Sequence, residues 1–140
     1  MKKIVFVCLG NICRSPMAEF VMKSLTDQLK IESRATSSWE HGNPIHRGTQ
    51  GIFKKYAISY DRNKTSQQIS TADFADFDYI IGMDESNVRD LKRMAPEDFQ
   101  HKICQFEEES VPDPWYTGDF DQTYDLVLAG CKKWLERLDG

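Results

Sequence analysis

The N-terminal segment constrains the fold more than any other part of the chain. The run Lys3–Cys8 is apolar and rich in β-branched residues, without alternation of apolar and polar positions, which is typical of a strand buried on both faces. A short loop follows, and then Ser15, which can cap a helix, and Pro16, which suits a first helical position because no amide proton is needed there. This order of strand, loop and helix start predicts the opening of a βαβ unit.

The rest of the chain repeats this alternation. A helix is predicted from the apolar positions between Met17 and Leu29. The further elements are strands at Ser33–Ser37, Asp78–Met83 and Lys102–Phe106, helices at Arg47–Tyr56, at Glu85–Met94 and through Leu126 to Leu138, and a long loop over Glu107–Gly118. Asp84 is expected to cap the helix that Pro96 stops. The pattern predicts one α/β domain over residues 1–140, with a four-stranded parallel sheet flanked by helices on both faces.

Charge and hydropathy narrow the possible classes of function. The net charge of −4 argues against nucleic acid as the main partner, since binding it normally needs a basic face. The apolar run Ile4–Leu9 is far too short to span a membrane, and Gly10, Asn11 and Arg14 follow it where a signal peptide would have a small-residue cleavage site. We therefore expect a cytoplasmic protein without a nucleic-acid or membrane partner.

The cysteines limit the metal and redox chemistry. Cys8, Cys13, Cys104 and Cys131 contain no Cys-x-x-Cys pair, so no zinc or other metal site is expected. In a reducing cytosol they are expected to be thiols rather than structural disulfides. Each is therefore either a reactive group or a buried one.

The loop between Cys8 and the helix start has the composition of an anion site. A loop that leads from a parallel strand into a helix presents free backbone amides, and the helix N-terminus adds a partial positive charge. Arg14 supplies a planar fork that matches phosphate oxygens, and Gly10 allows a tight backbone path. The same field favours a thiolate on Cys8. A thiolate beside a phosphate pocket is a nucleophile aimed at phosphorus.

The spacing of cysteine and arginine alone would be weak evidence. Cys131 and Arg137 have the same spacing, yet they lie inside an amphipathic helix pattern with no preceding strand and no glycine between them. Cys131 is therefore expected to be a small buried hydrophobic residue. Cys8 and Arg14 differ because the strand, the turn and the helix start agree.

Several motifs of this chain resemble those of a known protein family. The run Val5–Pro16 is similar to the phosphate loop of low-molecular-weight protein tyrosine phosphatases. The resemblance continues in order at Ala35–Ser37, Gly42–Pro44, Phe77–Ile80, Met83–Asn87 and Asp113–Tyr116. The resemblance implies a flavodoxin-like fold. It also implies an enzyme that hydrolyses phosphotyrosine and small aryl phosphates through a phosphocysteine, without a cofactor. The implied partners are phosphotyrosine-containing proteins, with inorganic phosphate or similar oxyanions as inhibitors.

The resemblance implies three catalytic residues. Cys8 would be the nucleophile, Arg14 would hold the phosphate oxygens, and Asp113 would protonate the leaving phenolate and then activate water. From spacing alone Asp113 would be one more solvated carboxylate, although its position between two prolines suits a fixed acid. The phosphate-binding residues implied are Leu9, Gly10, Asn11, Ile12, Cys13, Arg14 and Ser15.

The resemblance also implies supporting residues. Asn11 would brace the phosphate loop with help from Ser33 and Asp84, and Ser15 would stabilise the Cys8 thiolate as it leaves. Cys13 would form a protective disulfide with Cys8 under oxidation. Aromatic side chains are usually core, which is the interpretation for Trp134. The residues expected to wall a surface cleft instead are Trp39, Trp115 and Tyr116.

Some positions depart from the family pattern. Trp115 stands where many members carry tyrosine, which predicts a changed substrate preference. Lys64 and Gln67 stand where members often carry histidine and arginine, so the bracing of the loop is expected to differ. The histidines are interpreted as surface residues without a role; these are His41, His46 and His101.

Other functions are possible for this pattern. An arsenate reductase of the same fold would carry a cysteine pair after the third strand, where this chain has Met83–Asn87. A phosphocarrier subunit would not need Arg14 or Asp113 in these positions. A non-catalytic phosphotyrosine-binding module would tend to lose the nucleophile or the acid, and both Cys8 and Asp113 are present.

Overall fold

A computed structural model describes residues 1–139. The predicted parallel sheet is confirmed, with four strands in the order β2-β1-β3-β4. The strands are β1 (Lys2–Cys8), β2 (Leu29–Ala35), β3 (Tyr79–Gly82) and β4 (Ile103–Gln105). The apolar run β1 lies inside the sheet between β2 and β3, and its residues from Ile4 to Cys8 are buried.

Helices cover both faces of the sheet, as predicted. The helices are α1 (Arg14–Leu25), α2 (Arg47–Lys55), α3 (Thr71–Asp76), α4 (Glu85–Met94), α5 (Pro114–Thr117), α6 (Phe120–Asp139) and a 3₁₀ helix (Glu97–Lys102). Side chains alternate across a strand, so Ile4 and Phe6 pack in the core with α1, α2 and α6. Val5 and Val7 pack in the core with α3 and α4.

Several element boundaries were predicted wrongly. The first helix ends at Leu25, and β2 begins at Leu29, four residues before the predicted start at Ser33. Strand β2 lies at the edge of the sheet and alternates polar and buried residues, so it lacks the apolar signature of β1. Helix α3 was missed although Ser70 and Asp73 form a capping box. The predicted loop after β4 contains the short helix α5.

The predicted cap of α1 is also wrong, whereas that of α4 is confirmed. Ser15 lies within α1, and the cap position is Cys13, which makes no side-chain capping bond. Asp84 caps α4 by accepting a hydrogen bond from the Asn87 backbone amide at 2.7 Å. Cys131 is buried as expected, and the Arg137 guanidinium lies over the Trp134 ring, 4.3 Å from its centroid. That second cysteine–arginine pair is therefore structural.

Parallel strands place their carboxyl ends at one edge of the sheet, and ligands bind there in open α/β folds. Cys8 ends β1 and Asp84 follows β3 at this edge. Along residues 1–139, none of the helices is both long and apolar enough to cross a membrane.

Candidate active site

The loop after β1 curls around the sulfur of Cys8. The Asn11 backbone amide donates to Cys8 Sγ at 3.2 Å, and Ser15 Oγ lies 3.1 Å from the same sulfur. Asn11 has a left-handed backbone (φ 56°), which asparagine tolerates better than most residues. The tight turn expected from Gly10 is therefore made at Asn11. The loop places two hydrogen-bonding groups on the Cys8 sulfur.

The side chain of Asn11 fastens the loop from behind. Its Nδ2 donates to Ser15 Oγ at 2.8 Å and to Ser33 Oγ at 3.0 Å, and its Oδ1 accepts from the Gln67 backbone amide at 3.1 Å. The expected contact with Ser33 is present. Because Ser15 Oγ accepts from Asn11, its own proton can point to Cys8 Sγ. The backbone of Gln67, rather than its side chain, takes part in this network.

A buried carboxylate that the sequence analysis missed continues this network. Ser33 Oγ donates to Glu19 Oε1 at 2.6 Å, and the Glu19 side chain is only 2% exposed. Lys23 Nζ lies 2.7 Å from its Oε2, and Lys64 Nζ lies 3.4 Å from its Oε1. Lys64 Nζ also donates to the Ser33 carbonyl at 2.9 Å. Lys64, one of the departures from the family pattern, is therefore a second cation that pairs with Glu19.

Arg14 is held in one orientation by groups from other elements. Its Nη1 donates to Asp84 Oδ2 at 2.6 Å and to the Val111 carbonyl at 2.9 Å. Asp84 thus contacts Arg14, whereas it was expected to support Asn11. Burial acts to lower the pKa of Arg14, but the charge on Cys8 and the hydrogen bond to Asp84 outweigh it and raise that pKa. The guanidinium therefore stays charged in a buried position.

Asp113, from the segment after β4, also contacts Arg14. It caps α5, and its Oδ1 accepts from the Trp115 backbone amide at 3.1 Å. Its Oδ2 lies 3.5 Å from Arg14 Nη2. The side chain is 21% exposed, so it is neither a surface carboxylate nor fully buried. The carboxylate is thus oriented by one backbone amide and one cation.

A single pocket brings most of the predicted site residues together. It measures about 130 Å³ and is lined by Cys8, Leu9, Gly10, Ile12, Cys13, Trp39, Glu40, Asp113, Trp115 and Tyr116. The three aromatic rings form an exposed rim, with Trp39 78% and Tyr116 77% exposed. Glu40 on this rim was not predicted. Among the side chains described, those of residues 1–138, no group of three His, Cys, Asp or Glu is suited to a metal ion.

The thiols differ in their surroundings. Cys13 lines the pocket and is buried, and burial together with the negative charges of Cys8 and Asp113 raises the pKa of its thiol well above the ordinary value. Burial raises the pKa of Cys104 to about 11 and also raises that of Cys131. Neither of these two lines the pocket.

One histidine was misjudged. His46 was expected to be a surface residue without a role, but it is half-buried and caps α2 through Nδ1, which accepts from the Gly48 backbone amide at 2.9 Å. Histidine is not among the preferred N-cap residues, so the sequence carried little signal for this position.

Comparison with known proteins shows what the chain is similar to. Residues 3–140 match the family model described as low molecular weight phosphotyrosine protein phosphatase. The low molecular weight protein-tyrosine-phosphatase PtpA of Staphylococcus aureus is 45% identical, over 94% of this chain and 90% of that protein. The crystal structure of SP-PTP, a low molecular weight protein tyrosine phosphatase from Streptococcus pyogenes, matches with a TM-score of 0.97 and 63% identity, covering 99% of this chain and 93% of that one. A Drosophila arginine phosphatase matches with a TM-score of 0.89 and 32% identity, covering 100% and 99%.

The buried position of Glu19 generates a stability prediction. Glu19→Ala removes the partner of Lys64 and the acceptor of the Ser33 hydroxyl, and breaking a buried ion pair costs about 3–5 kcal/mol. We expect the free energy of unfolding, measured by urea denaturation, to fall by about 3 kcal/mol. Glu136→Ala on α6 is the control, since Glu136 is exposed and surface substitutions usually change stability by less than about 0.5 kcal/mol. Equal losses in the two variants would contradict the prediction.

Proposed function

The chain belongs to the low molecular weight phosphotyrosine protein phosphatase family, and from this premise we propose that it hydrolyses phosphotyrosine through a phosphocysteine on Cys8. Arg14 holds the phosphate, and Asp113 is the general acid and then the general base. The observation that carries this proposal is the convergence of Cys8 and Asp113 on one pocket, with Arg14 Nη2 lying 3.5 Å from Asp113 Oδ2.

The surroundings of Cys8 suit a thiolate nucleophile. The Asn11 backbone amide and the Ser15 hydroxyl both lie within hydrogen-bonding distance of the sulfur. Donors of this kind stabilise a thiolate, and they do so again when the sulfur leaves the phosphoenzyme. Because the Asn11 side chain already fixes Ser15 and contacts Ser33, these donors need no rearrangement when substrate binds. Preorganised donors act most strongly in this way.

Arg14 keeps N–H donors in reserve for an anion. Its Nη1 is occupied by Asp84 and Val111, whereas its buried Nε has no acceptor among the residues described. A buried donor without an acceptor costs about 1–3 kcal/mol. A phosphate oxygen would satisfy this donor, and a guanidinium binds phosphate with its N–H groups in fork geometry. The fixed orientation of Arg14 thus supports a role in holding phosphate.

The reaction has two steps. In the first, the Cys8 sulfur attacks phosphorus, the bond between phosphorus and the tyrosine oxygen breaks, and Asp113 gives its proton to that oxygen. In the second, water attacks phosphorus, Asp113 accepts a proton from it, and the bond between sulfur and phosphorus breaks. Cys8 leaves as a thiolate, and inorganic phosphate is released. Asp113 therefore returns to its protonated state after each cycle.

The aromatic rim supports phosphotyrosine as the substrate. Trp39, Trp115 and Tyr116 line the pocket at its rim, whereas Cys8 and Ile12 line it from the phosphate loop. A phenyl ring is long enough to pass the rim and to bring its phosphorus to Cys8, whereas phosphoserine is shorter. Flat rings also gain from packing against aromatic walls.

Two alternatives are separable by experiment. The similarity to an arginine phosphatase makes phosphoarginine the first competitor, and a comparison of kcat/KM for the two phospho-amino acids distinguishes them. An arsenate reductase would need a thiol relay, but Cys104 and Cys131 lie outside the pocket and Cys131 is fully buried. We expect no turnover of arsenate.

The first prediction tests the nucleophile. Cys8→Ser removes the thiolate, and no base adjoins the serine hydroxyl that replaces it, so turnover of phosphotyrosine should fall to background. Binding of inorganic phosphate, measured by calorimetry, should persist because the amides and Arg14 remain. Cys104→Ser is the matched control and should keep full turnover, since Cys104 does not line the pocket. Substantial turnover by Cys8→Ser would exclude the phosphocysteine.

The second prediction tests the acid. Tyrosine leaves with a pKa of about 10, so it needs a proton, whereas a dinitrophenolate does not. Asp113→Asn should lower kcat/KM for phosphotyrosine by about 10² to 10⁴ and that for 2,4-dinitrophenyl phosphate far less. Asp119→Asn, an exposed carboxylate beyond α5, is the control. An equal loss on both substrates would assign the proton to another group.

We also propose that Cys13 protects Cys8 from oxidation. Peroxide oxidises the Cys8 thiolate to a sulfenic acid. The Cys13 sulfur then attacks the Cys8 sulfur, and the disulfide forms as the hydroxyl leaves, taking the proton of Cys13 to become water. Both thiols line one pocket. Because the pKa of Cys13 is raised, little Cys13 thiolate is present near neutral pH. Formation of the Cys8–Cys13 disulfide should therefore accelerate as the pH rises.

The third prediction tests this protection. After peroxide and then a dithiol, the native protein should regain most of its own starting activity, while Cys13→Ser should regain little because further oxidation of Cys8 is irreversible. In the native protein, the fraction of starting activity that the dithiol restores should increase as the pH of the peroxide treatment is raised from 6.5 to 8.5. Cys131→Ser is the control, since Cys131 lies outside the pocket. Equal recovery in the native protein and in Cys13→Ser would leave Cys13 as a structural residue.

A further inference from the structure

His46 is fixed to the phosphate loop through its backbone. Its backbone amide donates to the Ile12 carbonyl at 2.8 Å, inside the loop that surrounds Cys8. The hydroxyl of Thr49, one turn further along α2, donates to the Cys13 carbonyl at 3.1 Å. The start of α2 therefore moves with the phosphate loop.

The ring of His46 lies between two other aromatic rings. It stacks on Phe120 with centroids 5.1 Å apart and meets Trp115 edge to face at 5.5 Å. A Cβ at position 48 would come within 2.3 Å of the Phe120 ring, so glycine there allows Phe120 to approach. The amide of Gly48 also donates to His46 Nδ1, which fixes the orientation of the imidazole.

Trp115 in turn orients the proposed acid. Its backbone amide donates to Asp113 Oδ1 at 3.1 Å. The segment around it is mostly exposed, since Pro112, Trp115 and Tyr116 are all exposed and only Pro114 between them is buried. Few packing contacts therefore hold this segment, and the ring of His46 supplies one of them.

We infer that His46 is a positioning residue for the reaction, which sets the distance between the Asp113 segment and the phosphate loop through the ring stack Trp115–His46–Phe120. This inference rests on the proposed role of Asp113. Acid catalysis depends on geometry, and a displacement of about 1 Å can cost about a hundredfold in rate. Loss of the His46 ring should therefore weaken proton donation while the nucleophile and the phosphate site remain.

Two substitutions separate the ring from the cap. His46→Asn removes the ring and keeps a side chain that can cap α2, whereas His46→Phe keeps a ring between Trp115 and Phe120 but cannot accept from Gly48. The measured quantity is kcat/KM for phosphotyrosine divided by kcat/KM for 2,4-dinitrophenyl phosphate. The quotient does not depend on the fraction of folded enzyme, since both substrates report on the same sample. A purely structural role would leave it unchanged.

We expect the quotient to fall about tenfold in His46→Asn, a part of what acid catalysis contributes, and to stay within about twofold in His46→Phe. In an Asp113→Asn background, His46→Asn should have no further effect on the quotient, because the two residues act on the same proton. A quotient unchanged in His46→Asn but lowered in Asp113→Asn would overturn this inference and leave the proposed function intact. A fall in His46→Phe without a fall in His46→Asn would assign the effect to the cap and overturn the ring stack. An equal fall in both variants would also overturn it, because His46→Phe retains a ring between Trp115 and Phe120. A quotient unchanged in Asp113→Asn would overturn both.

Discussion

The amide side chain of Asn11 connects Cys8, the proposed nucleophile, to the rest of the molecule. Asn11 adopts a left-handed backbone that places its own amide on the Cys8 sulfur, and its Nδ2 contacts Ser15 and Ser33. The left-handed conformation costs free energy, and the side-chain hydrogen bonds to buried partners offset that cost. The loop keeps this shape only while Asn11 has these partners. The groups around Cys8 are therefore coupled through one residue.

Charges that are far apart in the sequence complete the frame around this loop. Glu19 on α1 is neutralised by Lys23 on the same helix and by Lys64 from a distant segment. Asp84 uses one oxygen to cap α4 and the other to hold Arg14. One carboxylate thus joins the end of β3 to the phosphate loop. Charges buried in this way must be paired, so each partner also fixes where the neighbouring element lies.

The features predicted correctly from the sequence are those set by residues that lie close together along the chain. The unbroken apolar run of β1 and the cap at Asp84 are local signals, and both predictions are confirmed. Strand β2 was misplaced because it alternates Lys30, Glu32 and Arg34 with buried residues at the edge of the sheet. The burial of Glu19 could not be predicted because its partner Lys64 comes close only in the folded chain. His46 was missed for the same reason, since the ring Phe120 is supplied by α6.

The floor of the pocket, formed by the phosphate loop over residues 8–13, and its aromatic rim are built from different kinds of contact. This difference separates the proposed chemistry from the proposed selectivity. Substitutions on the floor disturb buried hydrogen bonds such as those of Asn11 and Ser33, which are costly to leave unsatisfied. On the rim, Trp39 and Tyr116 are mostly exposed, so their replacement leaves no cavity in the core. Under the proposed function, the rim could therefore change its preference for a leaving group while the geometry of Cys8 and Arg14 stays fixed. Trp115 is the exception on the rim, because its amide orients Asp113 and its ring contacts His46. Under the proposed function, a change there would alter both selectivity and proton transfer.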